Sequence, residues 1–190
     1  MLKIEDALLR YSPCNAQEAS DRTEILSFLS KNEDAFLRSH LAGHMTASAW
    51  VVNQKRDKVL MVYHKIYNSW SWIGGHADGC EDLLSVAIRE CREESGVSRV
   101  QPLSPDIFSL EILAVNGHEK KGSYIPSHLH YNVTYLLEAD EKETLKICEA
   151  ENTGVRWFSP EEALSASSEP WFRERIYPKL IKKMTTLEGR

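Results

Sequence analysis

Residues 75–97 read G-H-A-D-G-C-E-D-L-L-S-V-A-I-R-E-C-R-E-E-S-G-V. Leu83, Leu84, Ala87, Ile88 and Cys91 fall at i, i+1, i+4, i+5 and i+8, which is one apolar helical face able to pack on a sheet. The spacing predicts a helix from about Asp82 to Ser95, and Gly96 stands where a glycine usually stops one. Glu90, Glu93 and Glu94, at i, i+3 and i+4, then cluster on an adjacent edge. Carboxylates this close repel one another, and those in the last turns also face the negative end of the helix dipole. Each effect costs ~0.3–1 kcal/mol at an exposed site. An isolated E-x-x-E-E helix is ordinarily a solvated patch, with neighbours such as Arg89 and Arg92 as partners. A divalent cation gives a different reason for the cluster: hard oxygen donors without Cys or His suit Mg²⁺ or Mn²⁺ better than zinc.

Upstream, Ala47 to Asn53 and Val59 to His64 read as two strands joined by the polar turn Gln54 to Lys58, a hairpin. Gly74-Gly75 marks a point where the backbone needs freedom. Downstream, Ile107 to Val115 reads as a strand and Gly117 to Pro126 as a polar loop. From His128 to Leu137 the pattern alternates: Leu129, Tyr131, Val133, Tyr135 and Leu137 on one face, His128, His130, Asn132 and Thr134 on the other. Gly154 to Phe158 is a last short strand, and Pro160 opens a helix. A final helix from Pro170 has Trp171, Phe172 and Ile176 as expected anchors. The first forty residues read as helical, with Asp21 and Glu24 spaced as a capping box. Strands mixed irregularly with helices imply a mixed sheet between helices.

The chain has 190 residues, 42% hydrophobic and 27% charged, and a formal net charge of −5. That fits one decorated domain with a sizeable core and argues against DNA as a partner. The C-terminal cations Arg173, Arg175, Lys179, Lys182 and Lys183 read as the solvated side of a helix. Cys14, Cys80, Cys91 and Cys148 form no C-x-x-C pair, as in a reduced intracellular protein. No apolar run suggests a secretory signal or a membrane span, so the expected location is cytoplasmic.

Taken in order, Gly75, Glu81, Arg89-Glu90, Glu93-Glu94 and Gly96-Val97 resemble the Nudix box, G-x5-E-x7-R-E-U-x-E-E-x-G-U with U aliphatic. Every fixed position is met. Cys91 replaces the first aliphatic residue as a small hydrophobe. The likeness extends more loosely over Met45 to Leu164. It implies an α+β fold, a Nudix-type α/β/α sandwich with a mixed central β-sheet. The implied organisation is a helical N-terminal extension (1–40), a Nudix domain (41–165) and a C-terminal helix packed on it (166–190).

The resemblance further implies a hydrolase that cleaves a phosphoanhydride bond in a nucleoside-diphosphate-linked small molecule with Mg²⁺ or Mn²⁺. Metal ligands would be Glu90, Glu93, Glu94 and the Gly75 carbonyl, with Glu81 and Arg89 paired as a brace. Glu93 or Glu94 would be the base, with Glu119, Glu149 and Glu151 as alternatives. His76, His128 and His130 are candidate substrate contacts, and Trp70 or Trp72 could stack a base or simply pack. Relatives of this kind include homodimers. The rival readings are a nucleotide-binding sensor without catalysis, which has no use for repelling carboxylates, and a diphosphate isomerase, which would need an altered box.

Overall fold

The computed structural model describes residues 3–120 and 122–188. Two helices lead, α1 (Ile4–Arg10) and α2 (Ala16–Lys31). The cap of α2 is Asn15, whose side chain accepts from Glu18 N, so the cap lies six residues before the expected Asp21. Asn is as favoured an N-cap as Asp; Asp21 lies inside the helix and accepts instead from Ile112 N at 3.0 Å.

Strands β1 (Gly43–Asn53) and β2 (Val59–His64) pair antiparallel, with Val51 opposite Leu60 and Val52 opposite Val59. The turn between them closes through Lys58 N to Asn53 Oδ1 at 3.0 Å, and Arg56 takes a φ of 61°. All of β1 is buried. It starts at Gly43, four residues before the expected Ala47. Next come β3 (Ser69–Ser71), β4 (Ile73–His76) and α3 (Leu83–Ser95). They are followed by β5 (Val100–Pro102), β6 (Ser109–Val115), β7 (His118–Lys120) and β8 (Ser123–Ile125). The expected polar loop at 117–126 thus holds a small hairpin, β7 pairing with β8. Last come β9 (His128–Ala139), β10 (Asn152–Phe158), α4 (Pro160–Ala166) and α5 (Tyr177–Glu188), the latter preceded by a π-helical turn, Phe172–Ile176.

The main sheet has eight strands in the order β10-β2-β1-β9-β5, with β3 on β2, β4 on β1 and β6 on β9. It is a mixed sheet with helices, an α+β arrangement rather than a closed barrel. The residues group into two compact units: Met1–Ser48, Gly74–Ala87 and Ser104–Tyr135 in the first, Ala49–Ile73, Ile88–Leu103 and Leu136–Arg190 in the second.

In the first unit, the polar face of β9 is buried rather than solvated. Asn132 and Thr134 donate to Glu111 Oε2 at 3.2 and 2.9 Å, and Thr46 and Ser48 both donate to Asn132 Oδ1 at 2.9 Å. Glu18 of α2 closes this network from the helix side. Its carboxylate accepts from Tyr11 Oη at 2.7 Å, Cys14 N at 2.9 Å and Ser109 Oγ at 2.9 Å. Buried polar groups persist only when paired in this way.

In the second unit, Tyr177, Leu180 and Met184 form the buried stripe of α5. Tyr177 Oη accepts from Trp72 N at 3.1 Å, and its ring sits 5.5 Å from Trp50 and 6.1 Å from Trp72. Trp72 is therefore a packing residue. Of the expected anchors, Ile176 is buried, with Tyr177 beside it, while Trp171 is 56% exposed. Lys179 departs from the expected solvated side and is buried.

Candidate active site

Helix α3 ends where the sequence says it should. Gly96 has φ +76°, and its N–H donates to Arg92 O at 2.9 Å, the bond that closes a helix on a left-handed residue. A Cβ at Gly96 would lie 2.7 Å from Lys146 Cβ, so the position also needs a small residue. Leu83, Val86, Ala87 and Cys91 are buried along the helix. Glu90 and Glu94, 8% and 1% exposed, continue the same stripe. The carboxylates therefore split: Glu90 and Glu94 turn inward while the Glu93 side chain stays 60% exposed.

Glu151 completes the inward pair. A carboxylate oxygen from each of Glu90, Glu94 and Glu151 lies within 4.8 Å of the others. The loop that carries Glu151 is tied to the end of α3 by its neighbour. Asn152 Nδ2 donates to Glu94 O at 2.9 Å, using one of the carbonyls that a helix end leaves without a partner. Asn152 Oδ1 accepts from Cys148 N at 3.2 Å, and Lys65 N donates to Glu151 O at 3.0 Å. Asn152 is fully buried, so the loop is held by a satisfied amide.

Arg89 lies alongside. Its Nη2 donates to Glu90 at 2.7 Å and its Nε sits 4.0 Å from Glu93. Burial raises the Glu90 carboxyl above the usual carboxylate range. The Arg89 hydrogen bond and charge oppose that rise, while Glu151 and Glu93 add to it. Burial pushes the Cys91 thiol up to about 12, with a smaller opposing effect from Ser95.

Glu81 is exposed in the loop before α3, and Gly75 is half-buried in β4. Gly74 beside it is closely packed: a Cβ there would lie 2.5 Å from Ser48 Oγ and 2.8 Å from Ala47 O. His76 ends β4, while His128 and His130 lie on β9. These three do group together, and with them is His44, which the sequence did not single out. Burial, then the neighbouring imidazoles, hold His130 down at about 2, a neutral ring.

Residues 43–180 match the model of the NUDIX domain. The chain belongs to the Nudix hydrolase family. Among solved structures, it is similar to an Ap4A hydrolase binary complex from C. elegans, at 18% identity and a TM-score of 0.55, covering 76% of this chain and 97% of that one. A NUDIX-family hydrolase from Clostridium perfringens is 23% identical with a TM-score of 0.53, over 76% and 97% of the two chains. The dihydroneopterin triphosphate pyrophosphohydrolase of E. coli is 14% identical with a TM-score of 0.53, over 73% and 95%. At these identities the likeness is one of fold. No curated protein sequence matches the chain. Among the described residues, no helix is long and apolar enough to cross a membrane.

Two of the three Nudix-box glutamates thus reach the acidic group, and the third member comes from far along the chain. The donor set fits a hard divalent cation: three carboxylates in mutual reach, two of them withdrawn from water. Glu151 carried only a weak signal in the sequence, an acidic residue just before the last strand. Asn152 carried none, because its contribution is a hydrogen bond to backbone.

Proposed function

We propose that this Nudix hydrolase cleaves a phosphoanhydride bond in a nucleoside-diphosphate-linked small molecule, with Mg²⁺ or Mn²⁺ as cofactor. The observation that carries the proposal is the convergence of Glu90, Glu94 and Glu151 within 4.8 Å, with Glu90 and Glu94 buried. Buried carboxylates held this close are costly unless a cation compensates them. Such a cation supplies charge neutralisation for the diphosphate and a bound water of lowered pKa.

The chain's own groups do the rest. Glu90, Glu94 and Glu151 would hold the cation, joined in this proposal by Glu93 and the Gly75 carbonyl of the box pattern. Arg89 opposes the rise that burial imposes on the Glu90 carboxyl and orients it through its 2.7 Å bond, and pairing with Glu81 is its proposed bracing role. A carboxylate, Glu93 or Glu94 with Glu151 as alternative, takes the proton of the attacking water. The water oxygen bonds to phosphorus, the P–O bond to the bridging oxygen breaks, and the leaving phosphate departs with the bridging electron pair. Catalysis of this kind is mostly positioning and charge stabilisation. His76, His128 and His130 are proposed to face the substrate. The substrate is a small molecule, and a DNA partner is not part of the proposal. A cytoplasmic location and a homodimer complete it.

The test is turnover on a panel of diphosphate compounds, including nucleoside diphosphate sugars, Ap4A and dihydroneopterin triphosphate. Native protein and Glu94→Gln are compared with and without Mg²⁺ or Mn²⁺. The expected result is metal-dependent product release that falls by about 10² or more in the variant, some ~2.7 kcal/mol of lost transition-state stabilisation. Nucleotide binding without turnover of any compound would replace the hydrolase reading with that of a sensor.

A further inference from the structure

A second group of metal-type donors stands in the first unit, built entirely of imidazole. His44 lies near the start of β1, His76 ends β4, and His128 and His130 sit two apart on β9. One ring nitrogen from each lies within 4.8 Å of those of the other three. The His44 ring centroid is 5.0, 5.0 and 5.1 Å from those of His76, His128 and His130. His130 is 4.9 Å from His76 and 5.0 Å from His128.

Hydrogen bonds fix the state of two of these rings. His128 Nδ1 is 2.8 Å from the Pro126 carbonyl oxygen. A carbonyl only accepts, so Nδ1 carries the proton and a neutral ring presents a lone pair at Nε2. That Nε2 is 3.2 Å from His130 Nε2. His44 Nδ1 meets the His40 carbonyl oxygen in the same manner at 3.4 Å. His44 is 4% exposed, and its Nε2 is buried with no hydrogen-bond partner. A buried lone pair without a donor is an uncompensated cost of about 1–3 kcal/mol. An electron-pair acceptor removes that cost.

Metal-bound histidines characteristically donate their other N–H to a backbone carbonyl, which sets the tautomer and the ring orientation. His44 and His128 are already held so. Tetrahedral zinc with Zn–N bonds of about 2.0–2.1 Å has nitrogens roughly 3.3 Å apart, close to the observed 3.2 Å separation of His128 and His130 Nε2. An all-imidazole set selects borderline transition ions over Mg²⁺.

We propose that His44, His76, His128 and His130 form a second metal site, for a divalent transition ion of the Zn²⁺ class, built from a different set of residues than the acidic group. The experiment uses the full chain, stripped with chelator and titrated with Co²⁺ and then Zn²⁺. Stoichiometric Co²⁺ uptake is expected, with the intense visible absorption of a four-coordinate nitrogen site. Zn²⁺ should displace it, and excess Mg²⁺ should not. The signal should persist in Glu94→Gln, and affinity should fall by at least about 10²-fold in His130→Ala. Circular dichroism checks that the variant folds. Should it not fold, protection of these four histidines from acylation by diethylpyrocarbonate, in native protein with and without Zn²⁺, is the deciding measurement. Absence of stoichiometric Co²⁺ binding, binding that survives His130→Ala but is lost in Glu94→Gln, or acylation unaffected by Zn²⁺ would overturn the proposal. None of these readouts depends on turnover, so the hydrolase reading stands or falls separately.

Discussion

Glu143 shows how much one side chain can fix. Its carboxylate accepts from Ser98 Oγ at 2.6 Å, Ser98 N at 2.9 Å and Arg99 N at 2.9 Å, just past the end of α3. The Ser98 hydroxyl, then the two backbone N–H groups, draw its pKa from 4.5 down to about 2. A carboxylate depressed in the folded state adds stability above its unfolded pKa and loses it as pH falls through the folded one. Glu143→Gln should therefore lower Tm at neutral pH. The gap to native protein should close as pH drops from about 4.5 toward 2, read by thermal melts across that range. A gap independent of pH would show that shape, not charge, ties the loop. At the residue scale the sequence was informative where pattern and chemistry coincide, as at Glu90 and Glu94. It was less so where space decides. Glu93 shares the helix edge but remains mostly in solvent, and Glu151 and His44 join their groups only through the folding of distant strands.

Helix α2 shows how an element is attached by polar rather than apolar contacts. Its buried apolar face is short, Ile25 and Phe28, and polar contacts add to it: the network around Glu18, Gln17 Nε2 donating to Leu110 O at 2.9 Å and Asp21 accepting from Ile112 N at 3.0 Å. Glu18→Ala would leave the Tyr11 and Ser109 hydroxyls and the Cys14 N–H without an acceptor they now use. The expected cost is about 1–3 kcal/mol, read from denaturant midpoints. A change within about 0.5 kcal/mol, the range of an ordinary surface substitution, would assign the docking to Ile25 and Phe28. Element by element, the hairpin β1–β2, helix α3 and the opening of α4 at Pro160 were legible because each carries a local signal. The start of α2 was misplaced by a competing Asp–Glu pair. The burial of the polar face of β9 was hidden because alternation reports two faces without saying that both are covered. The π turn before α5 has no sequence signature, and it separates exposed Trp171 from buried Tyr177.

For the whole molecule, the sequence conveyed the fold class and the family, since a single 23-residue pattern carried both, and the match over residues 43–180 agrees. It conveyed less about what surrounds the box, because a phosphoanhydride centre says nothing of the group attached to the phosphates. One buried atom offers a way to watch the chain in motion. The Cys91 sulfur is sealed inside α3, one residue from Glu90 and three from Glu94, and its thiol ionises only near pH 12. The intact fold thus shields it from an alkylating reagent, whereas Cys14 is exposed to one. Labelling at Cys91 then counts the moments when the helix opens, a clock set by the free energy of that opening. A cation bridging Glu90 and Glu94 would hold the helix shut, so Mg²⁺ should slow alkylation of Cys91, measured by mass spectrometry, while leaving Cys14 unchanged. An equal rate with and without the ion would mean that the helix breathes independently of its charge. The same sulfur that fills an aliphatic place in the box would then serve as a silent witness to how firmly the box is closed.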